Sequence, residues 1–209
     1  MQRCAEQRLQ APPPSLYCCN HIPTSLYANI PLLALCDVRQ VPSDMWLYQA
    51  LLVQLRPSLV VEFGSFQGGS ALYFATVLSA LPPLSNHASA PHKFKILTVD
   101  IHGDLLHPIV AADARIEAIA ASSTDASVEQ RIRLLRQQCA ARRRARCPPS
   151  PLYHRCRYPG PMFAILDSDH SKAHVLQELR VIARVTSRGD RVIVEDRCSS
   201  QKNSHKTFL

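Results

Sequence analysis

With 209 residues, 46% of them hydrophobic and 19% charged, the chain has the bulk for one folded unit with a sizeable core and reads as globular rather than disordered. The formal charge of +8 at pH 7 raises the question of nucleic acid. However, the densest basic run, Arg142-Arg143-Arg144-Ala145-Arg146, stands outside the periodic stretches and reads as a solvated loop, so no nucleic-acid partner is expected.

The first 41 residues read as an irregular N-terminal arm, broken by Pro12-Pro13-Pro14 and poor in acids. No apolar run approaches the length of a membrane span and no clear secretory signal appears, so a cytoplasmic protein is expected, with organelle targeting left open. The eight cysteines fall in this arm, in a later Cys/Arg/Pro-rich insertion and in the tail. They form no CxxC pair, which speaks against a zinc ribbon or redox motif and for a reduced intracellular chain.

Patterned sequence starts at Pro42. Ser43 can cap a helix in which Leu47, Leu51, Leu52 and Leu55 recur at helical spacing before Pro57 stops it. Leu59 to Phe63 is a short apolar, β-branched run, the mark of a strand buried on both faces. Gly64 turns the chain, and Ala71, Phe74, Ala75, Leu78 and Leu81 give a helix from Gly68. A surface loop rich in Pro, Ser, Ala and His, about 82–94, precedes a second strand, Lys95 to Asp100. Arg115 to Ala121 is a weaker third strand, and Ser122-Ser123-Thr124-Asp125 starts a helix running to about Gln138. The insertion, about 139–161, follows. Met162 to Leu166 is a fourth strand, Val175, Leu176, Leu179, Ile182 and Ala183 form a helical stripe, and Arg191 to Asp196 is a fifth strand before a polar tail, 197–209. Alternation at this density predicts a Rossmann-like, doubly wound α/β domain over 42–196, its sheet mostly parallel and its crossovers right-handed.

Ligands of such sheets bind outside the carboxyl ends of the strands, and here four of the five strands end in glycine or an acid. The first loop, with Gly64, Ser65 and Gly68, lets backbone approach a ligand closely, or is simply a tight strand-to-helix turn. It lacks the lysine of a P-loop and the spacing of a dinucleotide fingerprint. Asp100 can accept both hydroxyls of a ribose, or is a solvated strand-end acid. Asp167, Asp169, Glu195 and Asp196 concentrate negative charge at two adjacent strand ends. Either a hard divalent cation such as Mg2+ neutralises them, or Ser168-Asp169 caps the next helix and Glu195-Asp196 is exposed. His170 is a general-base candidate, or a histidine packed on its loop; His170 and His174, four apart, lack the HExxH context of a zinc site.

The ordered set Trp46-Leu47-Tyr48-Gln49, Leu55 to Ser65, Gly68-Gly69-Ser70, Thr98-Val99-Asp100-Ile101-His102, Ser122 to Asp125, Leu166-Asp167-Ser168-Asp169-His170 and Val194-Glu195-Asp196 resembles the cephalosporin hydroxylase and rhamnosyl O-methyltransferase family of class I S-adenosylmethionine-dependent enzymes. The resemblance runs from Pro42 to about Asp196. It implies that Glu62, Gly64, Asp100 and Ser123 face S-adenosylmethionine, with Ser65 and Gly68 in the same loop, and that Asp167, Glu195 and Asp196 bind Mg2+. The activity implied is metal-assisted transfer of a methyl group to a hydroxyl of a small-molecule acceptor: a sugar, a glycolipid or a secondary metabolite. The family's sheet continues with a helix and a closing antiparallel pair that the tail does not match, so a core without its last strands is expected. An inactive relative or binding module is the alternative, and an NAD-dependent oxidoreductase ranks last. A homo-oligomer is left open.

Overall fold

The computed structural model describes residues 42–81, 92–144 and 160–195. The N-terminal arm, most of the first insertion, the segment after Arg144 with Arg146, Cys147 and Cys156, and everything from Asp196 onward lie outside the described residues.

Five strands, β1 (Leu59–Phe63), β2 (Lys95–Asp100), β3 (Ile116–Ala120), β4 (Met162–Leu166) and β5 (Arg191–Val194), form one sheet in the order β3-β2-β1-β4-β5, every neighbouring pair parallel. The helices are α1 (Pro42–Leu55), α2 (Gly69–Ala80), the four-residue α3 (Pro108–Ala111), α4 (Ala126–Arg144) and α5 (Lys172–Ala183), with a 3-10 turn at Gly103–Leu105. β1 lies at the centre, flanked on both sides, and every residue of β1 and β4 is buried, as apolar runs without alternation require.

Period-two geometry splits the strands between two cores. Val60, Ile96, Phe163, Ile165 and Ile193 face α1 and α2, where Tyr48 packs edge-on against Phe74 and Phe163. Val61, Phe63, Leu97, Val99 and Leu166 face the other layer, carrying Val128, Ile132 and Leu135 of α4 and Val181 and Ile182 of α5. The sheet is thus covered on both faces, the doubly wound arrangement expected.

The helices depart from expectation in detail. α1 begins at Pro42, which puts Ser43 inside the first turn, and it buries Met45, Tyr48 and Leu52. α4 starts at Ala126 and continues past Gln138 to Arg144, so Cys139 is a buried helical residue whose thiol meets the Ser58 carbonyl at 3.3 Å. α5 buries Glu178, Val181 and Ile182 and leaves Leu176 exposed, so its inner face is rotated from the hydropathy stripe. No helix among the described residues is long and apolar enough to cross a membrane.

Candidate functional site

The ladder of the sheet continues one step past the strand ends: Gly64 donates to the Val99 carbonyl at 2.8 Å, Asp167 to Phe63 at 2.9 Å and Glu195 to Leu166 at 2.8 Å. Loops leaving adjacent parallel strands are thereby held level, and a cleft of about 400 Å3 opens at the carboxyl ends. Gly64, Ser65, Asp100, Ser123, Asp167 and His170 all line it. Glu62, Gly68 and Glu195 do not, and Asp196 lies outside the described residues.

Gly64 explains why the first loop can sit so close to the exit of β4. Its φ is +94°, and a Cβ there would lie 2.0 Å from the Asp167 carbonyl oxygen, so any other residue would push the two loops apart. Asp100 secures the opposite side of that loop. Its Oδ2 accepts the Phe66 N–H at 2.8 Å and its Oδ1 the His102 N–H at 2.9 Å, so one carboxylate fixes the turn after β1 and the turn after β2 while still lining the cleft.

Glu62 is buried to 1% exposure beneath the loop. It pairs in register with Thr98, whose hydroxyl donates to Oε2 at 2.6 Å, and Ser70 at the start of α2 donates to it as well. Burial pushes its carboxyl up from 4.5 to about 7, reinforced by the charges of Asp167 and Asp100 and opposed by the two hydroxyls. Glu62 therefore ties β2 to α2 and underpins the cleft instead of facing it.

On the β4 side, His170 stands with Nε2 3.6 Å from Asp167 Oδ1 and Nδ1 3.3 Å from the Glu195 carbonyl oxygen. A carbonyl only accepts, so Nδ1 carries the proton in the neutral ring and Nε2 is left as the basic nitrogen. Asp169 lines the same cleft. Its Oδ1 accepts the Ser171 N–H at 2.8 Å, and this backbone bond first of all holds its carboxyl below the usual range. The N-cap of α5 is Ser171, whose hydroxyl accepts the His174 N–H at 3.3 Å, so the alternative in which the Ser168-Asp169 pair caps this helix does not hold.

A further cluster escaped the sequence reading. Glu178, on α5 and 1% exposed, takes the Ser123 hydroxyl and the Ser168 hydroxyl at 2.5 Å each, and His174 Nε2 lies 3.4 Å from the same oxygen, Oε1. His174 Nε2 is also 2.9 Å from Ser123 Oγ. The signal was present: Glu178 stands three and four residues before Val181 and Ile182, an acid at an apolar helix position.

Asp167 offers the hard oxygen ligands that a cation such as Mg2+ prefers, and its charge raises the neighbouring Glu62. The chemistry of the donors fits. Among the described residues, however, no three of His, Cys, Asp and Glu are grouped to hold a metal, and the expected third carboxylate, Asp196, lies beyond them. For a nucleoside-bearing cofactor the fit is more complete: the Gly64-Ser65 turn lines the cleft, a strand-end acid stands beside it, and the cleft has the usual ligand size.

The model of the rhamnosyl O-methyltransferase/CmcI family matches residues 27–143 and 153–207. The rhamnosyl O-methyltransferase of Mycobacterium leprae is 40% identical over 163 residues, covering 78% of this chain and 57% of that protein. That of Mycobacterium tuberculosis H37Rv is 37% identical over 163 residues, with 78% and 54% covered. The chain spans about half the length of the curated relatives it matches. Among solved structures, CmcI with SAH superposes with a TM-score of 0.50 at 14% identity, covering 79% of this chain and 66% of that one. CmcI with Mg and SAM gives 0.50 at 15%, covering 75% and 53%. Both share the fold.

Proposed function

The chain belongs to the rhamnosyl O-methyltransferase/CmcI family, and from that premise we propose that it is the core of an S-adenosylmethionine-dependent O-methyltransferase acting on a hydroxyl of a small molecule, with a rhamnosyl sugar as the first acceptor to try. The observation that carries the reading is the convergence of Gly64, Asp100, Asp167 and His170 on one cleft at the carboxyl ends of the sheet.

In this reading S-adenosylmethionine supplies an electrophilic methyl group on a sulfonium, and a Mg2+ held by Asp167, Glu195 and Asp196 would polarise the acceptor hydroxyl. The protein's own part is placement. Gly64 and Ser65 bring backbone against the ligand, and Asp100, fixed at both oxygens by N–H donors, presents its remaining lone pairs to ribose hydroxyls. Ser123 faces the nucleoside from the β3 side. Asp167 and His170 take the acceptor end, where Nε2 receives the hydroxyl proton as the oxygen attacks, while the Glu195 carbonyl keeps the ring in the required tautomer. Ordering both reactants in line is itself a large share of the rate. Glu62 and Gly68 support the loop from below.

The test is methyl transfer from labelled S-adenosylmethionine to a panel of rhamnosides and other glycosides, with and without Mg2+. Asp167→Ala is expected to abolish Mg2+-stimulated transfer while calorimetric binding of S-adenosylmethionine survives. Undiminished transfer by that variant would remove Asp167 from the metal role.

A further inference from the structure

We infer that Glu178 is a positioning residue that clamps the two walls of the cleft around the nucleoside of the cofactor, and that Ser123 and His174, held by it, form the wall facing the base. This deepens the S-adenosylmethionine reading and rests on it.

Ser123 follows β3 and Ser168 follows β4, and in the sheet those strands are separated by β2 and β1. No ladder bond can hold their exit loops at a fixed distance. Glu178 does so from the α5 side: one carboxylate oxygen receives a hydroxyl from each loop at 2.5 Å, and His174, one turn earlier on the helix, lies against the same oxygen and against Ser123. Burying a carboxylate is costly unless its donors compensate it. Here the second oxygen, Oε2, is buried with no hydrogen-bond partner among the described residues, so the full compensation comes from Ser123, Ser168 and His174. All three line the cleft. What the buried charge secures is therefore the shape of the ligand site and not a joint of the core.

The side of the cleft follows from its neighbours. The Ala121 N–H donates to the Asp100 carbonyl at 3.0 Å, which sets the Ser122-Ser123 turn beside the acid read as the ribose acceptor. Asp167 and His170 occupy the other end, where the acceptor would react. A base extending from a ribose at Asp100, away from the reacting end, meets Ser123 and His174. Two hydroxyls and an imidazole converging on one oxygen need its negative charge. A neutral amide should keep the contacts but weaken each, since charge-assisted bonds are roughly twice as strong as neutral ones.

The experiment is calorimetric titration of S-adenosylmethionine into the full chain and its Glu178→Gln, Glu178→Ala, Ser123→Ala and Ser123→Ala/Glu178→Ala variants, with melting curves of each ligand-free protein. Wild type binds. Glu178→Gln is expected to weaken binding a few-fold and Glu178→Ala roughly tenfold or more, the scale of hydrogen bonds to a charged group. Ser123→Ala should lose affinity while its melting temperature falls by no more than the loss of one hydrogen bond explains, and the double variant should bind no worse than Glu178→Ala, because both changes release the same wall. A merely structural glutamate would not produce that non-additivity. Wild-type affinity in both Glu178→Gln and Ser123→Ala, or losses that simply multiply in the double variant, overturns the clamp. If Glu178→Ala does not fold, Glu178→Gln and Ser123→Ala still decide. Absence of binding by wild type is a different result, since it removes the cofactor reading itself.

Discussion

Glu62 is an acid that the folded chain keeps protonated more readily than the unfolded chain does, because burial in the sheet lifts it from 4.5 to about 7. A raised folded-state value makes a stability contribution that is fully present below about pH 4.5 and is lost as the pH climbs through about 7. At ~1.4 kcal/mol per pK unit the swing is on the order of 3 kcal/mol. Glu62→Gln, always neutral, should lack it. Urea unfolding of the two proteins between pH 4.5 and 8 is expected to show wild type losing stability relative to the variant as pH rises, and a pH-independent difference would refute the assignment. The residue also shows where sequence reading stops. Only the family resemblance implied a role for Glu62, that of facing S-adenosylmethionine, and β1 is buried on both faces, so no polar alternation told which way it pointed. The register with Thr98 is a tertiary fact, and it turns the side chain towards α2 and away from the cleft lining.

Among the elements, the five strands were readable almost to the residue because each is an apolar run with a turn or an acid behind it. The helices were readable in place but not in rotation. Hydropathy put Leu176 and Ala183 of α5 inside, yet both are exposed and Glu178 is buried, since Ser123 and Ser168 lie where its carboxylate can be satisfied. α3 and the 3-10 turn before it are too short to show a period, so the stretch between β2 and β3 went unassigned. The start of α5 gives a direct test of capping. Ser171 accepts the His174 N–H, while Ser168 is occupied with Glu178. Ser171→Ala should therefore destabilise the protein by about 1 kcal/mol, the usual loss of an N-cap hydroxyl. Thermal melts that register no change would return the cap to Asp169 or to solvent.

For the molecule as a whole, the sequence announced a parallel doubly wound sheet but not its strand order, because pairing depends on crossovers that hydropathy does not encode. The order β3-β2-β1-β4-β5 puts the two strands that carry Gly64 and Asp167 side by side, which is why the cleft forms where it does. The opposite end of the sheet needs its own fastening. There Asp190, just before β5, accepts the Met162 N–H of β4 at 2.7 Å, the Ser187 N–H at 2.7 Å and the Arg136 guanidinium of α4 at 2.8 Å. The Arg136 and Asp190 side chains are 10% and 4% exposed, so helix, turn and two strands meet at one nearly dry carboxylate. Removing it strands a buried cation and an N–H at the head of β4, and breaking a buried pair in this way costs about 3–5 kcal/mol. Arg133, by contrast, reaches Glu129 on the solvent side of α4, where an ion pair contributes little. Asp190→Ala should lower the urea midpoint severely, Arg133→Ala should leave it in place, and comparable losses from the two would mean that the fold is not fastened at Asp190.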